Sequence, residues 1–236
     1  MLAWDGDHLG ARLGGARVLF TTRNGGVSQG PFASLNLGER TEDDDAAVAA
    51  NHARLRELAG GATLARCSQV HGRDVVRQTT APNGARREAD GIATNLPGVA
   101  AVVLTADCLP VALCAPGAVA MVHAGWRGLA AGVLDEGLAA LRDVGATGPV
   151  AAAIGPGAGG CCYEVGDEVR EAFADVPEAM LGRNVDLKAV ATARLRAAGV
   201  EAVHDSGLCT MCDGRFFSHR RDHGTTGRQG GVAWLA

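Results

Sequence analysis

The stretch "LTADCLPVALCAPGAVAMVHAGWRG", Leu104 to Gly128, holds two apolar runs separated by Pro116-Gly117. Pro110 to Ala115 and Ala118 to Val122 are small or branched residues without polar alternation. That is the pattern of strands covered on both faces. A two-residue turn at Pro116-Gly117 folds them into a hairpin, although Pro-Gly is not the favoured hairpin dipeptide. In that register Ala115 faces Ala118, Pro110 faces His123, and Cys108 falls beside Gly125. A thiol and an imidazole then stand together at the open end of two buried strands.

Outward from the hairpin, strand and helix signals alternate irregularly. Val18 to Thr22 reads as a strand, followed by the glycine-rich loop "RNGGVSQGPFASLNLG". The acidic "TEDDD" opens a helix over Ala46 to Leu58, its carboxylates in the first turn where the helix dipole favours them. "ARCSQVHGRDVVRQ" gives two short strands broken at His71-Gly72, and Ala100 to Leu104 a further strand. Gly125 to Gly128 leads into one amphipathic helix over Leu129 to Val144. "VAAAI" is a buried strand, a helix starts near Val165 to Val169, and another spans Leu187 to Ala198. Short strands and loops close the chain. No strict strand–helix–strand repeat is present. The pattern predicts an α+β fold, a single-domain layered sandwich of mixed β-sheet with flanking helices over residues 1–236.

The bulk composition narrows the function classes. The chain has 236 residues, 47% of them hydrophobic but only 4% aromatic, with 34 glycines, so the core must be built from Ala, Val and Leu. A net charge of −4 argues against a nucleic-acid partner. No apolar run reaches the roughly 18 residues of a membrane span. "MLAWDGDHLGARLGG" lacks the basic start and apolar core of a secretory signal. Seven cysteines without scaffold spacing then predict reduced thiols and a cytoplasmic protein.

Cys108 and His123 supply two metal ligands, and a zinc that does chemistry usually keeps three and an open position. His71, in the strand-breaking "QVHG", is the best third candidate. His8 stands in a mobile terminus, His52 within a helix, His204 beside an acidic residue, and His219 and His223 in an arginine-rich loop. Read singly, a buried Cys is a small hydrophobe and a strand His merely hydrogen-bonded; only their convergence makes a site. Cys209-Thr-Met-Cys212 has no second CxxC, which argues against a zinc ribbon and for two thiols packed together. Nothing around the vicinal pair Cys161-Cys162 marks a nucleophile.

Several groups suit an anion or a flat substrate. Arg23 precedes Asn24-Gly25-Gly26, where backbone N–H groups can approach a phosphate. Trp126 and Arg127 open a helix, with Trp126 able to stack on a base or to sit in the core. "SHRRDHGTTGR" adds Arg220, Arg221 and Arg228. Each arginine alone is more often a surface ion pair than a clamp. Asp107, beside Cys108, is a partner to a ligand, a general acid or a turn cap.

The stretches "TTRNGGVSQGPFASLNLG", "QVHG", "LTADCLPV", "VHAGWRG", "IGPGAGGCCYEVG" and "CTMCDGRFFSHRRDHGTTGR" together resemble the YfiH or laccase-domain family, also described as multicopper polyphenol oxidases and as purine nucleoside phosphorylases. The resemblance covers about Arg23 to Arg228. It implies a zinc held by His71, Cys108 and His123, and phosphorolysis of adenosine, inosine and methylthioadenosine with adenosine deamination as a second activity. His52, where arginine is usual, and His219, where tyrosine is common, depart from the pattern at the rim.

Three chemistries compete. A zinc-dependent nucleoside enzyme would use an open metal position, which lowers the pKa of bound water to about 7, for deamination at C6. For phosphorolysis it would use Arg23 or Arg127 to hold phosphate against the ribose C1′. A copper polyphenol oxidase also suits one Cys and two His, but a laccase-type cluster draws on many histidines, commonly in H-x-H pairs. This chain has seven and no such pair. A metal-independent cysteine hydrolase would use Cys108 as nucleophile and a histidine as base.

Overall fold

A computed structural model describes all 236 residues. The strands in chain order are β1 (Ala3–Asp5), β2 (His8–Leu13), β3 (Ala16–Phe20), β4 (Thr63–Arg66) and β5 (Val75–Gln78). There follow β6 (Gly91–Thr94), β7 (Val99–Thr105), β8 (Leu109–Ala115), β9 (Ala118–Ala124) and β10 (Ala151–Ile154). The last are β11 (Met180–Leu181), β12 (Asn184–Val185), β13 (Ala202–Asp205) and β14 (Gln229–Leu235). The helices are α1 (Asp45–Leu58), α2 (Trp126–Ala131), α3 (Val133–Asp143), α4 (Asp167–Ala172) and α5 (Leu187–Ala197). No helix is long and apolar enough to cross a membrane.

Two mixed sheets of six strands pack face to face, in the orders β1-β2-β3-β14-β7-β4 and β13-β10-β8-β9-β6-β5. The β8–β9 hairpin has the register that its Pro-Gly turn predicts: Ala115 pairs with Ala118 and Pro110 with His123. Gly117 takes φ 87°, which gives the turn its type II signature. Both hairpin strands are buried throughout, and the alternation of side chains explains why. Leu109, Val111, Leu113, Ala120 and Val122 face the layer of helices that includes α3 and α5. Ala112, Cys114, Val119 and Met121 face the other sheet, against Phe20, Val103 and Ala233. Helix α1 covers the outer face of that sheet through Leu55, against Val102 and Val232. The result is the α+β sandwich of the expected class, in four layers.

The structure differs from the sequence reading in three places. The helix expected over 129–144 is two helices, because Gly132 sits at φ 88°, a left-handed conformation that costs glycine nothing and ends α2. The strand expected around "ARCSQV" lies earlier, at Thr63–Arg66, leaving Gln69 to Gly72 as a connection. The N-terminus, expected to be a mobile tail, is paired into the first sheet. It forms β1 and β2, and His8 is buried with Nδ1 accepting from the Thr22 N–H at 3.2 Å.

Two connections cross between the sheets at the same open end. Ala106 to Cys108 links β7 to β8, and Cys67 to Asp74 links β4 to β5. Cys108 and His71 therefore leave the first sheet side by side, and His123 at the end of β9 faces the same gap.

Candidate metal centre and its cleft

The ligand atoms of His71, Cys108 and His123 lie within 4.8 Å of one another. The two imidazole rings stand edge to face with centroids 4.9 Å apart. Gly125, across the hairpin from Cys108, leaves room for them. A Cβ there would come within 3.1 Å of the Cys108 sulfur and 3.2 Å of His71 Cδ2. Two imidazoles and a thiolate at this spacing form a donor set that fits a soft or borderline divalent ion with a further position open.

Asp90, which sequence reasoning passed over as loop, organises the trio. It is fully buried, and its carboxylate accepts the His123 Nδ1–H at 2.8 Å, leaving Nε2 for a metal. The same carboxylate accepts the backbone N–H groups of Val70 (3.3 Å), His71 (2.9 Å) and Gly72 (2.6 Å). These bonds hold His71 at φ 61°, a conformation β-carbon residues resist. Gln69 ties the connection down from the other side: its amide bonds both the N–H and the C=O of Leu104 at 2.8 Å. One signal was present in the sequence. Asp90 immediately precedes the buried strand "GIAT", where an ionised carboxylate needs partners.

Burial alone would raise the Cys108 thiol, but the charge and hydrogen bonds of His123 and His71 outweigh it and bring it down to about 6. Burial would likewise lower His123, yet the Cys108 thiolate and Asp90 raise it to about 9. Without metal at neutral pH the pair is thus thiolate and imidazolium. A metal must displace the His123 proton. Calorimetry at pH 7.5 in buffers of different ionisation enthalpy should show about one proton released per ion bound. The number should rise as pH falls through about 6, where Cys108 takes up its own proton. No buffer dependence at pH 7.5 would show that His123 is already neutral.

The trio forms part of the wall of a cleft of about 480 Å³, within the size range of small-molecule sites. Asp107, Thr105, Tyr163, His219 and four arginines (Arg40, Arg86, Arg220 and Arg228) also line it. Arg86 is engaged by Glu39. Arg40 makes no ion pair or hydrogen bond and is exposed at the cleft. The Thr105 hydroxyl is buried without any hydrogen-bond partner. Burial and the negative charge of Cys108 keep the Tyr163 phenol above its ordinary pKa against the pull of Arg220, so it remains protonated at neutral pH.

The other sequence candidates are placed differently. Asp107 lines the cleft at φ 90°, but its carboxylate is occupied: Oδ1 accepts the Thr210 hydroxyl at 2.6 Å and Oδ2 the Arg220 N–H at 2.7 Å. Arg23 does not line the cleft. Its guanidinium donates to the carbonyls of Ala33 (2.6 Å) and Pro31 (3.3 Å) and lies over the Phe217 ring. Trp126 packs against the helical core, and Arg127 stacks on it at 4.3 Å; neither lines the cleft. His52 lies beneath the rim, bonded to the Leu37 carbonyl, where burial and Arg66 lower it to about 4 and keep it neutral.

Comparison with known proteins agrees with this architecture. A family model described as multi-copper polyphenol oxidoreductase laccase matches residues 17–236. A Pseudomonas aeruginosa protein named purine nucleoside phosphorylase is 44% identical over 233 residues, 93% of each chain. Escherichia coli purine nucleoside phosphorylase YfiH is 40% identical over 235 residues, 94% of each chain. The crystal structure of YlmD from Geobacillus stearothermophilus is similar with a TM-score of 0.87 at 36% identity, covering 99% of this chain and 97% of that one.

Proposed function

The chain belongs to the multi-copper polyphenol oxidoreductase laccase family, and from that premise we propose that it is a zinc-dependent purine nucleoside phosphorylase acting on adenosine, inosine and methylthioadenosine, with adenosine deamination as a second activity. In this reading residues 1–236 act as one catalytic unit in the cytoplasm, and the partners are a purine nucleoside and phosphate. The observation that carries it is the convergence of His71, Cys108 and His123 in the wall of an arginine-lined cleft. The names of relatives at 40–44% identity supply the reaction.

His71, Cys108 and His123 would hold the zinc, which when bound supplies a Lewis acid and an activated water. The remaining groups position substrate. Arg40, with no competing partner, is the phosphate anchor. Arg220 and Arg228 flank it in the cleft wall, although their guanidinium groups also donate to the carbonyls of Glu164 and of Thr226 and Gly227. Arg23 and Arg127 do not line the cleft. Tyr163 offers the nucleoside a neutral O–H donor. Asp107 acts as a positioning residue, fixing the Ala106 to Cys108 crossing and the Arg220 backbone, instead of as the general acid.

Arg40→Ala should raise the KM for phosphate roughly tenfold or more, the worth of one charge-assisted hydrogen bond, with little change in the KM for nucleoside. Steady-state kinetics with each substrate varied checks this; an unchanged phosphate KM would rule out Arg40 as the anchor.

Copper remains the second reading because the family description names it and one Cys with two His suits a single copper. Yet only two of the chain's seven histidines join the centre, too few for a laccase-type cluster. The deciding experiment incubates metal-replete protein with adenosine and phosphate. Ribose 1-phosphate with adenine, and inosine with ammonia, are the expected products. Neither product from zinc-loaded protein would defeat the proposal, and stoichiometric copper with an intense visible thiolate band would overturn the zinc assignment.

A further inference from the structure

We propose that Cys161, Cys162, Cys209 and Cys212 form a second, separate metal site that binds one zinc ion through four thiolates and fastens together two loops behind the cleft. The fold assembles it from two distant pairs. Strands β10 and β13 pair in parallel, with Ile154 opposite Asp205, so the loops leaving their ends emerge side by side. The pairing continues past the strands through a bridge between Gly157 and Cys209 and the Thr210 N–H bond to the Gly157 carbonyl at 3.1 Å. The vicinal pair of one loop and the CxxC of the other are thereby brought face to face. The absence of a second CxxC, which argued against a zinc site in the sequence, does not apply: the vicinal pair supplies the other two ligands.

The geometry suits a single ion. The sulfur of Cys162 lies 3.3 Å from that of Cys161, 3.0 Å from Cys212 and 3.5 Å from Cys209, and Cys161 is 3.6 Å from Cys212. All four sulfurs fall within 4.8 Å of one another. A tetrahedral zinc with bonds of about 2.3 Å separates its sulfurs by about 3.8 Å, so the four need only spread slightly around it. A cluster of several irons would hold its thiolates further apart. None of the four is joined in a disulfide.

The surrounding backbone is shaped for them. The Gly159 N–H donates to the Cys209 sulfur at 3.2 Å, a bond that favours the thiolate. A Cβ on Gly159 would meet the sulfurs of Cys161 at 3.1 Å and Cys209 at 3.3 Å, so a larger residue would crowd the thiols. The ion would lock elements that reach the cleft. Tyr163, next to Cys162, lines it, and Thr210, inside the CxxC, donates to Asp107. The site stands independently of the proposed reaction, since it shares no ligand with the His71–Cys108–His123 centre.

Protein produced in zinc-supplemented medium and isolated under reducing conditions should contain two zinc ions per chain by mass spectrometry. Cys108→Ser should retain one, and Cys161→Ser/Cys212→Ser should retain one while keeping the ion at Cys108. Should the double variant fail to fold, Co²⁺ exchange into the Cys108→Ser protein gives the same answer: the intense, long-wavelength bands of a tetrahedral tetrathiolate are expected. Stripping the second ion should speed amide exchange in residues 157–163 and 208–213 by roughly tenfold or more. Absence of zinc from the Cys108→Ser protein, no tetrathiolate spectrum, visible iron–thiolate absorption, or a disulfide among the four in reduced metal-replete protein would each overturn the proposal. Because these readouts do not use nucleoside turnover, they fail or succeed apart from the proposed activity.

Discussion

Cys108→Ser is expected to empty the His71–Cys108–His123 centre and to abolish nucleoside turnover with it. The thiolate is the only anionic ligand of the three, and its sulfur lies against both imidazoles. A serine hydroxyl is not ionised at neutral pH and binds zinc poorly, so the site falls to two imidazoles. The loss should exceed the roughly 10–100-fold that removal of a group behind a ligand costs. The same variant would also inactivate a cysteine hydrolase, for Cys108 with a pKa of about 6 is thiolate at neutral pH. Metal content and chelation separate the two. In the metal reading Cys108→Ser lacks the ion, and chelation of the wild type removes activity that added zinc restores. Wild-type protein that turns over substrate after complete metal removal would instead make Cys108 the nucleophile.

The centre was legible because two of its ligands share a hairpin. Once Pro116-Gly117 is read as the turn, the period-two geometry of paired strands leaves no freedom: Pro110 must face His123 and Cys108 must fall beside Gly125. The uninterrupted apolar character of both strands also states that each face is covered, which calls for layers on both sides. His71 was reachable only because few histidines break a strand at a glycine.

What escaped the sequence depends on contacts between distant segments. Asp90 looks like part of a loop, and its role exists only where the Val70 to Gly72 backbone folds over it. Arg23 and Arg127 carry the right charge beside glycines, but a guanidinium binds whatever acceptors are nearest. Those are the carbonyls of Ala33 and Pro31 for Arg23, while Arg127 stacks on Trp126. Arg40 gave no signal, since nothing local distinguishes an arginine that finds no partner. The cysteine pairs were weighed separately because spacing within a loop is visible in sequence, whereas the parallel pairing of β10 with β13 is not. Gly132 ended α2 inside a well-patterned amphipathic run, where backbone conformation overrode the periodicity.

Asp90→Asn tests whether the carboxylate behind the ligands matters as much as its contacts imply. Asparagine keeps the size and shape of the side chain, so the expected effects come from charge and hydrogen bonding. The carboxylate takes four N–H donors; an amide has one oxygen to accept and presents its own N–H₂ toward the remaining donors. At least one buried donor is left unpaired, and His123 loses the negative partner that favours its charge and holds its tautomer. Breaking a buried pair in this way costs about 3–5 kcal/mol. An exposed pair is a fair contrast: Asp143 is 59% exposed beside Arg77, and Asp143→Asn should cost less than about 1 kcal/mol. Denaturation of the two metal-free variants should therefore separate them clearly. In the folded Asp90→Asn protein, zinc affinity measured against a competing chelator should fall about 10–100-fold, because His71 and His123 are no longer held in their binding poses. Apo stability equal to that of Asp143→Asn, together with unchanged zinc affinity, would mean that the ligands hold their positions without Asp90, and the account of how this fold builds its metal centre would be wrong.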